Sequence, residues 1–126
     1  MGIDIYAVWK GQTEAEEIAQ ASAGFSLVLG HAGYLREAYH GPPYATMYLC
    51  REAFESPSAR AVIPAAVLWQ RLPETLRLSE ERQRKLYGLK KRQDIEPFLQ
   101  SFHDFVVLCE AKEKETGEPV IIVASY

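Results

Sequence analysis

The sequence predicts an α+β fold, a single-domain sandwich in which helices pack on one face of a mixed sheet of about four strands. Three observations predict it. β-branched and aromatic residues fill the opening segment 3–9, and an apolar run occupies the closing segment 120–124, as is typical of strands. Apolar residues recur at helical spacing through residues 95–109. A chain of 126 residues has room for one domain over residues 1–126, whose core needs no disulfide or metal.

The two terminal segments are expected to lie side by side in the sheet. Alternation along residues 3–9 gives an apolar inner face and an outer face that includes Asp4 and Tyr6. Residues 120–124 are apolar on both faces, which is typical of a central strand. We therefore expect the last strand to pair beside the first.

A short surface helix should follow the first strand. Thr13 and Glu16 have the spacing of a capping box, in which each side chain bonds the backbone N–H of the other residue. The predicted helix ends near Ala21, and its one large apolar residue, Ile18, offers little surface to bury. A second strand is predicted at residues 25–29.

Residues 34–39 fit either a helix or a strand. Leu, Arg, Glu and Ala favour a helix, but the segment is too short to form one alone. We favour a strand that pairs with a further strand at residues 44–50, in a hairpin with a longer loop.

Three helices are predicted in the second half of the chain. Pro64 suits a first helical position, and the helix that it opens is expected to kink or break at Pro73. The second helix spans residues 73–87, and the third is capped by Asp94 and ends at Gly117. The third helix should provide much of the core.

Charge and cysteine content limit the classes of function. A net charge of −3 and an isoelectric point near 5.6 make nucleic-acid binding an unfavoured function. The basic residues within 82–92 are expected to form a solvated, salt-bridged surface. Cys50 and Cys109 have no paired spacing, and they suit a reducing compartment as buried apolar residues. Because no secretory signal or membrane span is visible, we expect a soluble cytoplasmic protein that does not bind a membrane.

Candidate chemistry is concentrated in residues 30–44, although their spacing matches no known catalytic or binding motif. One interpretation makes His40 a general acid or base and Arg36 an anion clamp. The orienting carboxylate would then be Glu37 or Asp4. The other interpretation is structural, with Arg36 and Glu37 bonded to backbone and side chains within the loop.

The same segment contains a group of polar and aromatic residues suited to a binding surface, because tyrosine combines apolar area with a polar tip. The candidate ligand-binding residues are His31, Tyr34, Tyr39 and Tyr44. Asp4, a carboxylate within an apolar strand, needs a partner, and Arg36 or His31 could supply it across the sheet.

Two functions remain open. The first is a ligand- or protein-binding module, or a homodimer, that uses residues 31–44, with a small anionic molecule among the ligands that fit. The alternative is a small hydrolase or transferase that acts on an anionic substrate, with His40 as acid or base and Arg36 as anion clamp. The three histidines lack metal-ligand spacing, so we expect neither a metal nor another cofactor.

Overall fold

The computed structural model describes residues 2–23 and 30–126 of the chain. Within these residues it forms four strands and five α-helices. In chain order they are β1 (Gly2–Val8), α1 (Glu14–Ala23), β2 (Tyr34–Ala38), α2 (Ala45–Leu49), α3 (Arg51–Glu55), β3 (Arg60–Val62), α4 (Ala65–Leu86), α5 (Arg92–Thr116) and β4 (Ile121–Ser125). The α+β class is therefore confirmed. The second strand predicted at residues 25–29 lies outside the described residues.

The four strands form one sheet in the order β2-β1-β4-β3, and all neighbouring strands are antiparallel. The last strand pairs beside the first, as predicted, but the expectation of a mixed sheet is wrong. The reason lies in the connection between β3 and β4. Helices α4 and α5 lie between these two strands in the chain. After them the chain re-enters the sheet at the end where β3 finishes, because Ile121 pairs with Val62. A strand that starts there has to run antiparallel to β3.

The inner face of the sheet and the helices enclose one hydrophobic core. Along β1, inner residues are buried and outer residues are half-buried, in the alternation that the sequence predicts. The sheet contributes Ile5, Ala7, Leu35, Ile122 and Ala124 to this core. Helices α2 to α5 contribute Ala45, Leu49, Ala53, Leu68, Leu72, Phe102, Phe105, Val106 and Cys109. Much of the helical contribution comes from α5, as predicted.

The predicted capping box opens α1. The Thr13 N–H donates to the Glu16 carboxylate at 3.0 Å, and the Glu16 N–H donates to the Thr13 hydroxyl at 3.1 Å. Ile18 is 59% exposed, so α1 is a surface helix as expected.

Residues 34–38 form the strand β2, but the strand predicted at residues 44–50 is wrong, since this segment forms helix α2. The cause is a contact with a residue of the preceding strand, β2. The carboxylate of Glu37 accepts hydrogen bonds from the N–H groups of Ala45 and Thr46, at 3.0 and 2.8 Å. These are the N–H groups that a helix start leaves without partners, so Glu37 stabilises a helical turn that local propensity does not predict.

The predicted break at Pro73, with a separate helix over residues 73–87, is also wrong, because α4 continues through Pro73 to Leu86. A proline inside a helix costs roughly 3 kcal/mol. Pro73 itself is exposed, while Leu72 and Thr75 are buried on either side of it. Burial of residues on both sides of Pro73 stabilises the helix through it.

Two smaller differences concern the second half of the chain. The edge strand β3 was not predicted, because three residues carry too little alternation to identify a strand. Helix α5 begins at Arg92, so Asp94 lies in its first turn rather than at the cap, and Gly117 ends the helix with a φ of 79° as predicted. Among the helices of the described residues, none has the length and apolar content to cross a membrane.

Candidate functional site

A cavity of about 360 Å³ lies between the edge strand β2 and helices α4 and α5. The consecutive β2 residues 35–38 all line it. Because consecutive strand residues face opposite sides, the cavity meets the edge of β2 rather than one of its faces. Each helix presents residues at i, i+3 and i+4 spacing. They are Ser79, Arg82 and Gln83 from α4, and Phe98, Ser101 and Phe102 from α5.

Arg82 is the largest fully buried side chain, with 1% exposure. Its guanidinium donates hydrogen bonds to three backbone carbonyls, that of Ala38 at the end of β2 and those of Gly41 and Pro43 in the loop that follows. The ring of Tyr44 covers the guanidinium at 4.8 Å from its centroid. Arg82 therefore holds the loop between β2 and α2 in place.

Glu37 completes this arrangement from the strand. It is 6% exposed, and its Oε2 lies 3.8 Å from the Nε of Arg82. The same carboxylate accepts hydrogen bonds from Ala45 and from both the N–H and the hydroxyl of Thr46. Its oxygen atoms are thus engaged with the start of α2 and with Arg82, which agrees with the structural interpretation of Glu37.

Two other buried polar side chains on the same face of α4 differ from Arg82. Ser79 is 1% and Gln83 5% exposed. The Ser79 hydroxyl is buried and has no hydrogen-bond partner among the described residues, whereas the Gln83 carboxamide is not among the fully buried groups that lack one. Across the cavity on α5, Ser101 is equally buried, but its hydroxyl donates to the Phe98 carbonyl at 2.7 Å.

His40 and Tyr87 mark the mouth of the cavity. Both line it, and both are exposed. Their rings lie 5.3 Å apart between centroids, at an angle of 55°. The cavity therefore opens between the loop after β2 and the connection between α4 and α5.

Arg36 lines the cavity from the strand edge, but its charged group is paired elsewhere. Its Nε lies 3.5 Å from Oδ1 of Asp4, directly opposite on β1. The expected ion pair across the sheet is thus present, on the outer face. There the rings of Tyr34 and Tyr6 stack at 6.1 Å. Burial, and then the hydrogen bond with Asp4, raise the pKa of Tyr34 to about 12.

The structure does not bring the four candidate ligand-binding residues together, and none of them lines this cavity. Tyr34 lies on the outer face of the sheet. Tyr39 is 41% exposed and packs edge-on against Tyr44, which covers Arg82. His31 lies beside Trp9 and Lys112 in a separate depression. Their role in binding stays a prediction.

The turn at Gly30–Ala32 that contains His31 is tight, as expected for this Gly-His-x-Gly segment. The Gly33 N–H donates to the Gly30 carbonyl at 2.8 Å. Gly30 also packs against α5 so closely that a Cβ atom would lie 1.7 Å from the Ser101 carbonyl oxygen. This contact fixes the position of the α5 turn that reaches the cavity.

The remaining candidates from the sequence have structural places. Cys50 and Cys109 are free and buried, and burial raises the pKa of both thiols, so neither thiol is activated as a nucleophile. His103 lies on the exposed side of α5, edge-on to Trp69 at 5.7 Å.

The basic residues of α4 that belong to the run at 82–92 form the expected salt-bridged surface, with one exception. Arg84 pairs with Glu80 at 3.0 Å and Lys85 with Glu81 at 2.7 Å, all one helical turn apart. Arg82, within the same basic run, is buried in the core instead. The assignment of Arg82 to a solvated surface is therefore wrong.

The sequence did contain a signal for the α4 part of the cavity. Buried positions Leu68, Leu72 and Thr75 continue at alternating steps of four and three residues to Ser79 and Arg82. A break at Pro73 would divide this pattern between two helices. The positions of Ser79 and Arg82 then no longer follow from the buried positions before Pro73.

Comparison of the chain with protein-family models, with curated proteins and with solved structures finds no match. The candidate site therefore rests on its own geometry and chemistry. In residues 2–23 and 30–126, no three His, Cys, Asp or Glu side chains are grouped closely enough to hold a metal ion.

Proposed function

We propose that this protein binds a small molecule in the cavity between β2, α4 and α5. One observation carries the proposal: the hydroxyl of Ser79 is buried at the cavity wall and has no hydrogen-bond partner among the described residues. A buried polar group without a partner costs about 1–3 kcal/mol. A bound ligand can supply the missing partner. The volume of about 360 Å³ falls within the range of about 300–1,000 Å³ that is usual for ligand pockets.

Binding is favoured over catalysis by the state of the charged groups. A hydrolase or transferase acting on an anionic substrate needs Arg36 and His40 to act together on that substrate. Both line the cavity, but Arg36 pairs with Asp4 on the outer face. In the described part of the chain, the imidazole of His40 contacts the Tyr87 ring and no carboxylate orients it. The enzymatic alternative is therefore tested as an outcome of the ligand experiments below.

A protein partner, including a second copy of the chain, is the second candidate. Apolar side chains on and beside the outer face of the sheet favour it, since Val62 and Tyr126 are each 58% exposed. Sedimentation of the wild type and of Val62→Glu tests this candidate. Concentration-dependent dimerisation that the substitution abolishes supports it, and a wild type that is monomeric at all concentrations contradicts it.

We further propose a cytoplasmic location. The two free, buried thiols support it, because unpaired cysteines persist in a reducing compartment.

Titration with toluene, followed by the backbone amide signals in NMR spectra, tests the ligand cavity. Toluene has no hydrogen-bonding group, so it probes only the presence of an accessible apolar space. We expect shifts at Leu89, Phe98 and Phe102, which line the cavity. Ser79→Leu should weaken them by narrowing the space beside α4. Ala66→Leu, which adds the same side chain at an exposed position of α4, should not.

Shifts that Ser79→Leu leaves as large as in the wild type, or that lie only at the depression formed by Val8, Val62 and Ile121, contradict the proposed cavity.

A further inference from the structure

We propose that the ligand is a small uncharged molecule with an apolar, planar body and one polar group that both donates and accepts hydrogen bonds, such as a carboxamide or a lactam. The inference rests on the proposed function and adds the chemical class of the ligand. It follows from the polar side chains at the cavity wall, from the charges around the cavity and from its apolar residues.

The polar side chains define the group that the ligand presents. The Ser79 hydroxyl has one donor and two acceptor sites, and the Gln83 carboxamide has two donors and a carbonyl acceptor. The two residues lie one helical turn apart on the same face of α4, so their Cβ atoms are about 5–6 Å apart. An adjacent carbonyl and N–H in the ligand can reach both. A group that only accepts, or only donates, can pair with fewer of these sites.

The buried charges at the cavity wall disfavour an ionised polar group, and Arg36 at the strand edge is paired with Asp4. Arg82 is the buried cation, but the terminal nitrogens of its guanidinium donate to loop carbonyls and approach the Tyr87 hydroxyl, and its Nε faces Glu37. The carboxylate of Glu37 accepts hydrogen bonds from α2. An anion or a cation entering the cavity would lose its hydration without gaining a free partner of opposite charge.

The apolar part of the wall defines the body of the ligand. Leu35, Leu89, Phe98 and Phe102 line the cavity from the strand, the α4–α5 connection and α5. The rings of His40 and Tyr87 flank the mouth. Aromatic side chains favour planar partners in stacked or edge-to-face contact. A ligand with its polar group toward α4 and a flat ring toward Phe98 and Phe102 satisfies both halves of the site.

Four probes of similar size test the inference: benzamide, benzoate, benzylamine and toluene. Binding to the whole chain is measured at pH 7 by NMR titration of the amide signals of the lining residues. We expect benzamide to bind at least tenfold more tightly than benzoate and benzylamine. Ser79→Ala should weaken benzamide about fivefold, the value of one neutral hydrogen bond, and should leave toluene unchanged. Ser101→Ala, which removes a hydroxyl that already has a partner, should leave both unchanged.

The failures of the two proposals are distinguishable. If toluene binds in the cavity but Ser79→Ala does not weaken benzamide, the ligand class is wrong and the ligand cavity stands. If none of the four probes shifts the amide signals of the lining residues, both the ligand class and the proposed function are wrong. Tightest binding by benzoate overturns the inference in favour of the anionic substrate of the enzymatic alternative.

Discussion

Arg82 lies between Ser79 and Gln83 on one face of α4, and all three side chains are buried. The polar groups of Arg82 are matched by loop carbonyls, by Glu37 and by the face of Tyr44. The hydroxyl of Ser79 is unmatched by the described residues. Burial alone therefore does not separate a structural polar residue from a functional one. The completeness of its hydrogen bonding does.

The comparison predicts its largest effect at Arg82. Arg82→Met should lower the free energy of unfolding by roughly 3–5 kcal/mol, because it leaves Glu37 as a buried charge without its partner. It also leaves the loop carbonyls without a donor. Urea unfolding measures the loss.

Arg84→Met is the matched control for this substitution. Arg84 lies two residues away on the solvent side of α4 and pairs with Glu80, so its loss should stay below about 1 kcal/mol. Equal losses at the two positions would show that the buried arginine does not organise the loop.

A second arginine of α4 sharpens the comparison, because its partner can be titrated. Arg71 is 8% exposed and donates to Glu52 and to the Leu49 carbonyl. The hydrogen bond from Arg71 lowers the pKa of Glu52 below its usual 4.5. The pair therefore stabilises the fold above about pH 4.5, and this contribution is lost as the pH falls through the lowered pKa.

Glu52→Gln should accordingly cost about 1 kcal/mol at pH 7, since Glu52 is partly exposed. The difference from the wild type should shrink as the pH falls below about 4.5 and vanish in strong acid. Urea unfolding over a pH series measures it. The control is Glu55→Gln, an exposed position of the same helix. A difference that is independent of pH would contradict the role of the charge.

The smallest effect on stability is expected at His40. Its imidazole is exposed and contacts only the Tyr87 ring among the described residues. His40→Ala should change the free energy of unfolding by less than about 0.5 kcal/mol. Thermal unfolding checks this, and a loss comparable to that at Arg82 would make His40 a structural residue.

The sequence predicts the parts of this fold whose cause is local. The alternation of β1, the capping box of α1 and the end of α5 at Gly117 depend on neighbouring residues, and each is confirmed. Helix α2 depends on Glu37, a residue of another element, and no pattern within residues 44–50 signals it. The continuity of α4 through Pro73 likewise depends on burial along the whole helix.

The candidate site follows the same division. The sequence placed chemistry at Arg36, Glu37 and His40, and these residues do line the cavity. Ser79 and Gln83 were missed because an ordinary polar residue on a helix carries no motif. Only the surrounding structure shows whether its polar atoms have hydrogen-bond partners. Residue type cannot predict that the Ser101 hydroxyl has a hydrogen-bond partner and that the Ser79 hydroxyl has none among the described residues.

Unfolding of Ser79→Ala and Ser101→Ala, each with and without saturating benzamide, tests the central claim most directly. Without benzamide, Ser79→Ala should be at least as stable as the wild type, because it removes a hydroxyl that has no partner among the described residues. Ser101→Ala should lose about 1 kcal/mol. Benzamide should then stabilise the wild type and Ser101→Ala more than Ser79→Ala. If Ser79→Ala loses as much stability as Ser101→Ala and gains as much from benzamide, the Ser79 hydroxyl serves the fold and the account is contradicted.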